Sequence, residues 1–363
     1  MNKKIIIIIN NLGVGGAERV VVDDINEMLR LGIDVTLITL RPEPLKSFIT
    51  ELRLQPNNFL CIPFKHFCDI PAWVRVVRSI RKAKPNLVIT QLWFSNTIGR
   101  IASRMAGVKN IISFEQNIYD TLKTRKMFFV DRCLQFLSFR IVAVSKAVKK
   151  SLVQHSIQET KIDIIYNSID PRKFVTHGDS SKLRTEYSIP EAAFLFIFVG
   201  RLIHQKAVDI LIEAFEKIDP TAYLLIVGQG VSREILERKA KEGGLGKRVI
   251  FTGVRTDIPQ LLSWSDCFVL PSRYEGLPLV LVEALAAGIA IIASDFEAAK
   301  EIIIHEKNGL IVPKENAEAL AQAMIRVKND KILRSNLAIE AKKSVERFSI
   351  SNHVQAILGY IGT

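Results

Sequence analysis

Residues 194–215 read FLFIFVGRLIHQKAVDILIEAF, and this stretch decides the fold. It opens with six consecutive apolar residues, which predict a strand buried on both faces. After a polar loop, Ile210, Leu211, Ala214 and Phe215 recur at the spacing of an amphipathic helix. Strand, loop and helix in this order make half of a βαβ unit, from which helix-covered parallel sheets are built.

The same alternation continues in both directions along the chain. Earlier apolar runs predict strands at 5–9, 34–40, 86–90, 110–114, 141–144 and 162–166. Later runs predict strands at 194–199, 223–227, 248–251, 267–270 and 289–293, and helices at 317–329, 331–346 and from 350. A polar interval at 170–188 separates the two sets. The pattern therefore predicts an α/β protein with two doubly wound, Rossmann-like parallel-sheet domains facing each other across a cleft.

Composition sets limits on the class of protein. The 363 residues exceed what one core organises, and 48% hydrophobic with 24% charged residues is typical of a folded globular chain. The apolar stretch 276–293 is interrupted by Pro278 and Gly288, which predict a short helix and a buried strand rather than a membrane span. The five isoleucines that follow Lys4 are too few for a signal-peptide core.

The net charge of +13 is unevenly distributed. Residues 1–170 carry 25 Lys and Arg against 14 Asp and Glu, whereas the rest carries 25 against 23. This asymmetry suggests an anionic partner for the first half, such as a membrane surface, a phosphorylated acceptor or nucleic acid; solvated cations are the alternative. Four cysteines without a CxxC pair favour a reducing compartment, and Cys61, His66 and Cys68 lack the second ligand pair of a zinc site.

Three strand-end loops carry residues suited to phosphate. The first contains Gly15 and Gly16 before a helix, where backbone amides can approach an anion, although a tight turn is the alternative. The glycine pattern lacks the last glycine and the ribose acid of a dinucleotide site, which argues against a nicotinamide-dependent oxidoreductase. The second loop contains Arg201 and Lys206, two cations that suit a diphosphate unless they are merely solvated.

The third loop and the helix after it add amides and carboxylates. Pro278 suits the first position of a helix, which leaves the N–H groups of Leu279 and Val280 available to an anion. Glu275 precedes this helix and Glu283 lies within its apolar sequence. A carboxylate there requires a partner, either ligand hydroxyls or a cation of its own domain.

These residues belong to a larger set of motifs. The stretches are GGAER (15–19), VS (144–145), YNSID (166–170), VGRL (199–202) with QK (205–206), IVGQG (226–230), and PSRYEGLP (271–278) with EA (283–284). Together they resemble the retaining glycosyltransferases of family four, which have the GT-B fold, over nearly the whole chain. The resemblance implies an acceptor-binding domain at 1–170, a nucleotide-sugar domain at 171–347, and a final helix at 348–363 that crosses back to the first domain.

The resemblance also implies roles for individual residues. It implies that Arg201 and Lys206 bind the donor diphosphate, that Gly15 and Gly16 approach it, and that amides of the Glu275-to-Glu283 segment contribute. Glu275 is expected to orient the transferred sugar, and Glu283 to bind the nucleotide ribose. The backbone at Val254 and Arg255 is expected to contact the base. The two cations and the helix amides are expected to stabilise the charge on the leaving phosphate without a metal or cofactor.

Three positions depart from the family pattern. Ala207 replaces a glycine, Gln116 stands where a histidine is frequent, and residues 298–299 are alanines instead of a glycine pair. Glu115, Gln116 or Asn117 is expected to take over the contact of that histidine to sugar or acceptor. The paired carboxylates Asp23 and Asp24 do not follow a strand and are predicted to be solvated.

The acceptor side is implied by resemblance and charge. A retaining hexosyl or N-acetylhexosaminyl transfer, most simply from UDP, to a polyprenyl-diphosphate-linked glycan at the inner face of the cytoplasmic membrane is expected, with no nucleic-acid partner. Residues 73–84 form either a basic membrane-surface helix or an ordinary sheet-packing helix. The phenylalanines of 123–140, which lie among basic residues, allow the same two alternatives: a membrane-surface segment or helix core. A non-catalytic nucleotide-sugar-binding module is the alternative function.

Overall fold

A computed structural model describes residues 3–118, 123–174 and 181–361 of the chain. The chain divides into two compact units, Met1–Ile169 with Phe348–Thr363, and Asp170–Arg347. The predicted polar interval 170–188 lies partly outside the described residues. Each unit is built around its own parallel sheet, so the predicted α/β class with two doubly wound domains is confirmed.

The first unit contains a sheet of seven strands in the order β3-β2-β1-β4-β5-β6-β7. The strands are β1 (Lys4–Ile9), β2 (Asp34–Thr39), β3 (Phe59–Cys61), β4 (Leu87–Gln91), β5 (Ile111–Glu115), β6 (Arg140–Ala143) and β7 (Ile162–Ile164). Its helices are α1 (Gly16–Arg30), α2 (Ile70–Ala83), α3 (Trp93–Met105), α4 (Arg125–Leu134) and α5 (Lys146–Gln154). The central strand β1 pairs with β2 and β4, and its isoleucines are almost fully buried.

The second unit contains six strands in the order β10-β9-β8-β11-β12-β13. After α6 (Ser181–Glu186) they are β8 (Phe194–Val199), β9 (Ala222–Val227), β10 (Val249–Gly253), β11 (Cys267–Leu270), β12 (Ala290–Ser294) and β13 (Leu310–Val312). The helices that follow α6 are α7 (Val208–Phe215), α8 (Arg233–Glu242), α9 (Ile258–Ser263), α10 (Leu279–Ala287), α11 (Glu297–Ile302), α12 (Ala317–Asn329) and α13 (Lys331–Ser344). The chain then returns to the first unit as α14 (Ile350–Leu358).

The strand predictions are confirmed with shifts of one or two residues at most ends. Strands β3 and β13, each of three residues, were not predicted. The stretch 276–293 forms α10 and β12, as predicted. In the described ranges, no helix combines the length and apolarity that crossing a bilayer requires.

Two predictions about aromatic segments have different outcomes. The apolar side of α2 is buried in the first unit's core through Val76, Val77 and Ile80, which confirms the sheet-packing alternative. For the phenylalanines of 123–140, the helix-core alternative is wrong for two of them. Phe129 is 65% exposed and Phe136 is 57% exposed, because both lie on the solvent side of α4 and the turn after it.

The prediction that Asp23 and Asp24 are solvated is also wrong. Both are buried, and Asp24 contacts a residue of α14. The His353 Nδ1 atom lies 2.7 Å from the Tyr166 carbonyl oxygen, and its Nε2 lies 3.3 Å from Asp24 Oδ2. Two acceptors facing one ring favour the doubly protonated imidazolium. This contact fixes α14 on the first unit.

We expect the stability of the first unit to depend on the charge of His353. Burial disfavours the charged ring, but Asp24 and the Tyr166 carbonyl outweigh it and raise the pKa of His353. A raised folded-state pKa gives stabilisation that is complete below the unfolded-state pKa of about 6.5 and is lost as pH rises through the folded-state pKa. Urea unfolding should therefore show lower stability above this window than below it.

The matched variants are His353→Gln, which should remove this pH dependence, and His66→Gln, an exposed histidine that should leave it unchanged. An unaltered pH profile in His353→Gln is the contrary outcome. It would mean that other groups cause the titration.

Candidate active site

In the second unit the predicted residues gather at the carboxyl ends of two adjacent strands. Strands β8 and β11 pair directly, with Cys267 opposite Phe196. The loop after β8 carries Arg201 and Lys206, and the loop after β11 carries Glu275. Because neighbouring parallel strands end at the same edge, the fold brings these distant stretches together.

The position of Arg201 depends on two glycines of the next loop. An added Cβ on Gly228, which has a φ of +139°, lies 1.9 Å from the Gly200 carbonyl oxygen, and one on Gly230 lies 2.2 Å from the Leu202 carbonyl oxygen. Only glycine permits this approach. The Leu202 amide also donates to the Gln229 carbonyl at 3.0 Å. The loop is thus fixed on both sides of Arg201, whose side chain is exposed.

Lys206 ends a short 3-10 turn and is followed by a left-handed residue. Ala207 has a φ of +49° and a ψ of 39°, a conformation that glycine adopts more easily than alanine. This geometry explains a glycine preference at the position and shows that alanine still forms the turn. The turn places Lys206 beside Gly200 with only 9% of the residue exposed.

Lys206 and Glu275 form a buried ion pair. The Lys206 Nζ atom lies 2.6 Å from Glu275 Oε1, and the two side chains are 11% and 7% exposed. The sequence assigned these residues to different parts of one ligand. The structure shows that they also contact each other.

Two neutral donors complete the surroundings of the Glu275 carboxylate. The Ser272 hydroxyl donates to Oε1 at 2.7 Å, and the Gln205 side-chain amide donates to Oε2 at 3.2 Å. The Gln205 amide also donates to the Tyr274 carbonyl at 2.9 Å, and the Arg273 N–H donates to the Gln205 carbonyl at 2.8 Å. The sequence prediction missed Ser272 and Gln205. Both lie within three residues of Glu275 or Lys206 in the sequence, and this closeness could have indicated that they belong to the same site.

Helix α10 begins one residue later than predicted. Pro278 occupies the N-cap, with a φ of −72° and a ψ of 105°, so its placement at the first helical position is wrong. Leu279 and Val280 are therefore the first two helical residues, whose N–H groups have no acceptor within an α-helix. The positive end of the helix dipole lies at the same place. Glu283 is half-buried within α10 and already interacts with another group of the protein.

The predicted base-contact segment follows β10. Val254 is 37% exposed. The Arg255 guanidinium is engaged by Asp257 at 2.9 and 2.7 Å and by Glu186 at 2.7 Å, and these contacts raise the pKa of Arg255. The Arg255 side chain is therefore used in ion pairs within the second unit. The backbone of this segment is the part suited to a ligand.

In the first unit, Gly15 caps α1 in an extended conformation and Gly16 is the first helical residue. A Cβ on Gly15 would lie 2.3 Å from the Glu18 carboxylate. The GGAER motif therefore begins the helix, and Arg19 is tied by an ion pair to Glu51 and lies over the Phe48 ring.

Glu115 is the last residue of β5, Gln116 and Asn117 follow it, and the three side chains differ in surroundings. Glu115 is buried and accepts from the Lys123 ammonium at 3.1 Å and the Asn96 amide at 3.2 Å. Lys123 also contacts Asp131, which pairs with the buried Arg100.

The Gln116 amide is held at both ends. Its Nε2 donates to Gln91 Oε1 at 2.8 Å, and its Oε1 accepts from the Asn167 amide at 2.7 Å. Asn117 is half-buried. Sequence reasoning did not predict the polar cluster around Glu115 or the hydrogen bonds of Gln116 with Gln91 and Asn167, because these residues come from separate parts of the chain.

The described residues contain no group of three or more His, Cys, Asp or Glu side chains placed to hold a metal ion. Cys61 and Cys68 are exposed free thiols. In the second unit, the arrangement of an exposed arginine, a buried lysine and a helix N-terminus is suited to an anion.

Comparison with known proteins identifies the family of the chain. The family described as "Glycosyltransferase Family 4" matches residues 14–173, and "Glycosyl transferases group 1" matches residues 179–344. The chain is 26% identical over 358 residues to an Escherichia coli protein named UDP-Gal:alpha-D-GlcNAc-diphosphoundecaprenol alpha-1,3-galactosyltransferase, covering 95% of this chain and 92% of the relative.

A second relative matches the chain over its full length. The Campylobacter jejuni N-acetylgalactosamine-N,N'-diacetylbacillosaminyl-diphospho-undecaprenol 4-alpha-N-acetylgalactosaminyltransferase is 27% identical over 381 residues, with 99% of each chain covered. Among solved structures, Anabaena HepE in complex with UDP and glucose superposes with a TM-score of 0.89 at 22% identity, covering 99% of each chain. The two family matches together span nearly all the described residues, and the chain belongs to glycosyltransferase family four, with the GT-B fold.

Proposed function

We propose that this protein is a retaining glycosyltransferase that moves a hexose or N-acetylhexosamine from a UDP sugar to a polyprenyl-diphosphate-linked glycan in surface-polysaccharide synthesis. The observation that carries the proposal is the Lys206–Glu275 pair beside Arg201 and the N-terminus of α10. The names of the relatives, which include lipid-diphosphate acceptors and a UDP donor, support the choice of substrates.

The donor diphosphate lies, in this proposal, between cations and amides. Arg201 is free to engage phosphate oxygens bidentately, and Lys206 supplies a fixed point charge. The amides of Leu279 and Val280 add donors at the positive end of α10.

Glu275 binds the transferred sugar and also restrains Lys206. An ionised carboxylate has about four acceptor positions, of which Lys206, Ser272 and Gln205 use three. The remaining position accepts a sugar hydroxyl. Because the carboxylate is already held, its orientation changes little when the sugar binds.

Glu283 and the segment after β10 bind the nucleoside. Glu283 accepts hydroxyl hydrogen bonds from the ribose. The backbone of Val254 and Arg255 contacts the base, since the Arg255 side chain is engaged by Asp257 and Glu186.

Charge stabilisation drives the chemical step. As the glycosidic bond to the β-phosphate breaks, negative charge develops on the leaving diphosphate. Arg201, Lys206 and the helix amides stabilise this charge without a metal ion. The leaving phosphate accepts the proton of the acceptor hydroxyl on the same face of the sugar, and the anomeric configuration is retained.

The acceptor binds to the first unit, whose basic charge suits a diphosphate-linked lipid. Asn117 and the amide of Gln116 are the acceptor-side groups. Glu115 acts through the buried cluster with Lys123, because its carboxylate is already engaged there.

We place the enzyme in the cytoplasm, peripherally at the inner face of the cytoplasmic membrane.

A non-catalytic nucleotide-sugar-binding module is the second candidate. It is favoured by Ala207, Gln116, Ala298 and Ala299, which depart from the family pattern, and by the full burial of the last two side chains. Incubation with radiolabelled UDP sugars and a lipid-diphosphate sugar separates the two functions. UDP binding with no transfer across a broad acceptor panel supports the module.

We expect Arg201→Ala and Lys206→Ala each to lower turnover by about 10² to 10³, the scale for removing one charge-stabilising donor. The matched control is Arg238→Ala, an exposed arginine on α8 that should retain turnover. Rates close to the unmodified protein in both site variants contradict the assignment.

The two glutamates should separate binding from chemistry. Glu283→Gln is expected mainly to weaken UDP binding, measured by calorimetry, because the ribose loses its charged acceptor. Glu275→Gln is expected mainly to reduce transfer. The same loss of UDP affinity in both variants, with no difference in turnover, would remove the distinction between their roles.

The ion pair itself is testable through stability. Lys206→Met leaves the buried Glu275 carboxylate without its cation and should cost about 3–5 kcal/mol of unfolding free energy. Adding Glu275→Gln should recover part of this loss, and the double-mutant cycle should show a coupling of about 0.5–3 kcal/mol. Additive effects in chemical unfolding would show that the pair contributes no mutual stabilisation.

A further inference from the structure

Arg273 lies two residues before Glu275, in the loop after β11. Its side chain is only 13% exposed. The guanidinium contacts three acceptors of the second unit, which are the His204 carbonyl and the carboxylates of Asp209 and Glu315. Because these contacts use all three of its nitrogens, Arg273 binds groups of the protein rather than a ligand.

The contact between Arg273 and Asp209 is bidentate. The Nη1 atom of Arg273 donates to Asp209 Oδ1 at 3.1 Å, and Nη2 donates to Oδ2 at 2.8 Å. Burial alone would raise the pKa of Asp209, but the hydrogen bonds and charge of Arg273 outweigh it and lower this pKa. The bidentate pair is therefore charge-assisted and fixed in direction as well as in distance.

The contacts of Arg273 hold the chain on both sides of Lys206. The Nη1 atom donates to the His204 carbonyl at 2.5 Å, two residues before Lys206, and the Asp209 carboxylate lies three residues after it. The backbone N–H of Arg273 also donates to the Gln205 carbonyl at 2.8 Å. One residue of the β11 loop thus contacts three positions around Lys206.

The segment that Arg273 holds contains a turn that alanine adopts less easily than glycine. Ala207 has a φ of +49°, which lies in the left-handed region. A backbone conformation of this kind persists where the surrounding contacts hold it. Arg273 supplies such contacts before and after Ala207.

Glu315 fastens the guanidinium to a third segment of the chain. The Nε atom of Arg273 lies 2.5 Å from Glu315 Oε1, and Nη2 donates to Oε2 at 3.1 Å. Glu315 directly precedes Asn316, the N-cap of α12. The guanidinium is therefore anchored by a helix start that belongs to neither of the two site loops.

Stability alone is a weak explanation for this cluster. The side chains of Asp209 and Glu315 are 41% and 50% exposed. Ion pairs with exposed partners contribute little to the free energy of unfolding. A guanidinium that joins three segments is better suited to fixing the positions of their residues.

We propose that Arg273 is a positioning residue of the transfer reaction, whose side chain holds the turn at Ala207 so that Lys206 stays against Glu275 and meets the leaving diphosphate. The inference rests on the proposed function, because it concerns the placement of two residues of that site. Arg273 itself contacts neither the diphosphate nor the sugar. Its placement of Lys206 matters because charge stabilisation depends on groups that are already in position when the charge develops.

The test is a double-mutant cycle in turnover with Arg273→Gln and Lys206→Ala. Transfer from radiolabelled UDP sugars to a lipid-diphosphate sugar is measured per molecule that binds UDP, as counted by calorimetry. Arg273→Gln should lower this turnover by about 10- to 100-fold, the scale for displacing a catalytic group. In the Lys206→Ala background the same change should cost less than about threefold, since the residue through which Arg273 acts is gone. Equal effects of Arg273→Gln in the two backgrounds overturn the proposal.

The affinity for UDP separates positioning from general binding. Arg273→Gln should weaken UDP binding by less than about threefold, because Arg201 and the amides of α10 remain in place. A loss of affinity as large as the loss of turnover would mean that Arg273 supports nucleotide binding as a whole. That result contradicts the positioning role.

The matched control is Arg334→Gln. Arg334 is also a half-buried arginine of the second unit, and it donates to the Val327 and Lys328 carbonyls at 2.9 and 3.0 Å. Its guanidinium lies 5.1 Å from the centre of the Phe194 ring, at the start of β8, whereas the site lies at the end of that strand. Arg334→Gln should retain turnover per UDP-binding molecule. A loss as large as that in Arg273→Gln would make the effect a general result of removing an arginine, against the proposal.

A second variant covers the case in which Arg273→Gln does not fold. Asp209→Asn/Glu315→Gln keeps the arginine and removes both of its carboxylate partners. It should lower turnover by about tenfold, because the guanidinium is no longer held in one orientation. Turnover close to that of the unmodified protein, in a variant that chemical unfolding shows to be folded, overturns the proposal.

A measurement without an acceptor separates this inference from the proposed function. The coupling between Lys206 and Glu275 in chemical unfolding is obtained from Lys206→Met, Glu275→Gln and the double variant, with and without Asp209→Asn/Glu315→Gln. Removal of the two carboxylates should reduce this coupling, and an unchanged coupling contradicts the role of Arg273. Absence of transfer in the unmodified protein contradicts the proposed function, whereas the coupling still tests whether Arg273 positions Lys206.

Discussion

The buried contact between Lys206 and Glu275 is the constraint on which the donor-side site depends. It joins a loop that follows β8 to a loop that follows β11, across 69 positions of sequence. Two charges with little exposure to water need each other, and neither loop can move away without leaving a buried charge behind. Ser272 and Gln205 add donors to the same carboxylate, so the link resists rotation as well as separation.

The sheet makes this constraint possible. Because β8 and β11 are neighbours and parallel, their carboxyl ends open at one edge, and α10 starts there as well. The contacts of Gly228 and Gly230 with the β8 loop fix its path from the other side. Arg201 therefore has an exposed side chain on a backbone whose path is fixed. This arrangement lets the charged side chain bind a ligand with little reorganisation of the protein.

The parts of this structure that depend on local pattern were predictable from sequence. Apolar runs identified the longer strands, and strand-end loops identified Arg201, Lys206 and Glu275 as neighbours. Contacts between distant segments were not predictable. No periodicity shows that Asp24 meets His353, or that Gln116 is held between Gln91 and Asn167.

Exposure was the other limit of sequence reasoning. Phe129 and Phe136 have the spacing of buried helix residues, but buried and exposed aromatic residues can share a helical period, and only packing distinguishes them. The start of α10 was displaced by a single residue because proline suits both the N-cap and the first helical position sterically, and element ends are set by hydrogen bonds that composition does not specify.

The return of the chain to the first unit affects the order of folding. Helix α14 supplies His353, whose ring contacts Asp24 and the carbonyl of Tyr166, but it is translated only after the whole second unit. Domains generally fold as units during synthesis, beginning with the N-terminal one. Here the first unit is synthesised early but cannot complete its fold, because Asp24 of α1 lacks its contact with His353 until α14 has been synthesised. The second unit is continuous in sequence, so it can complete its core before the first one does.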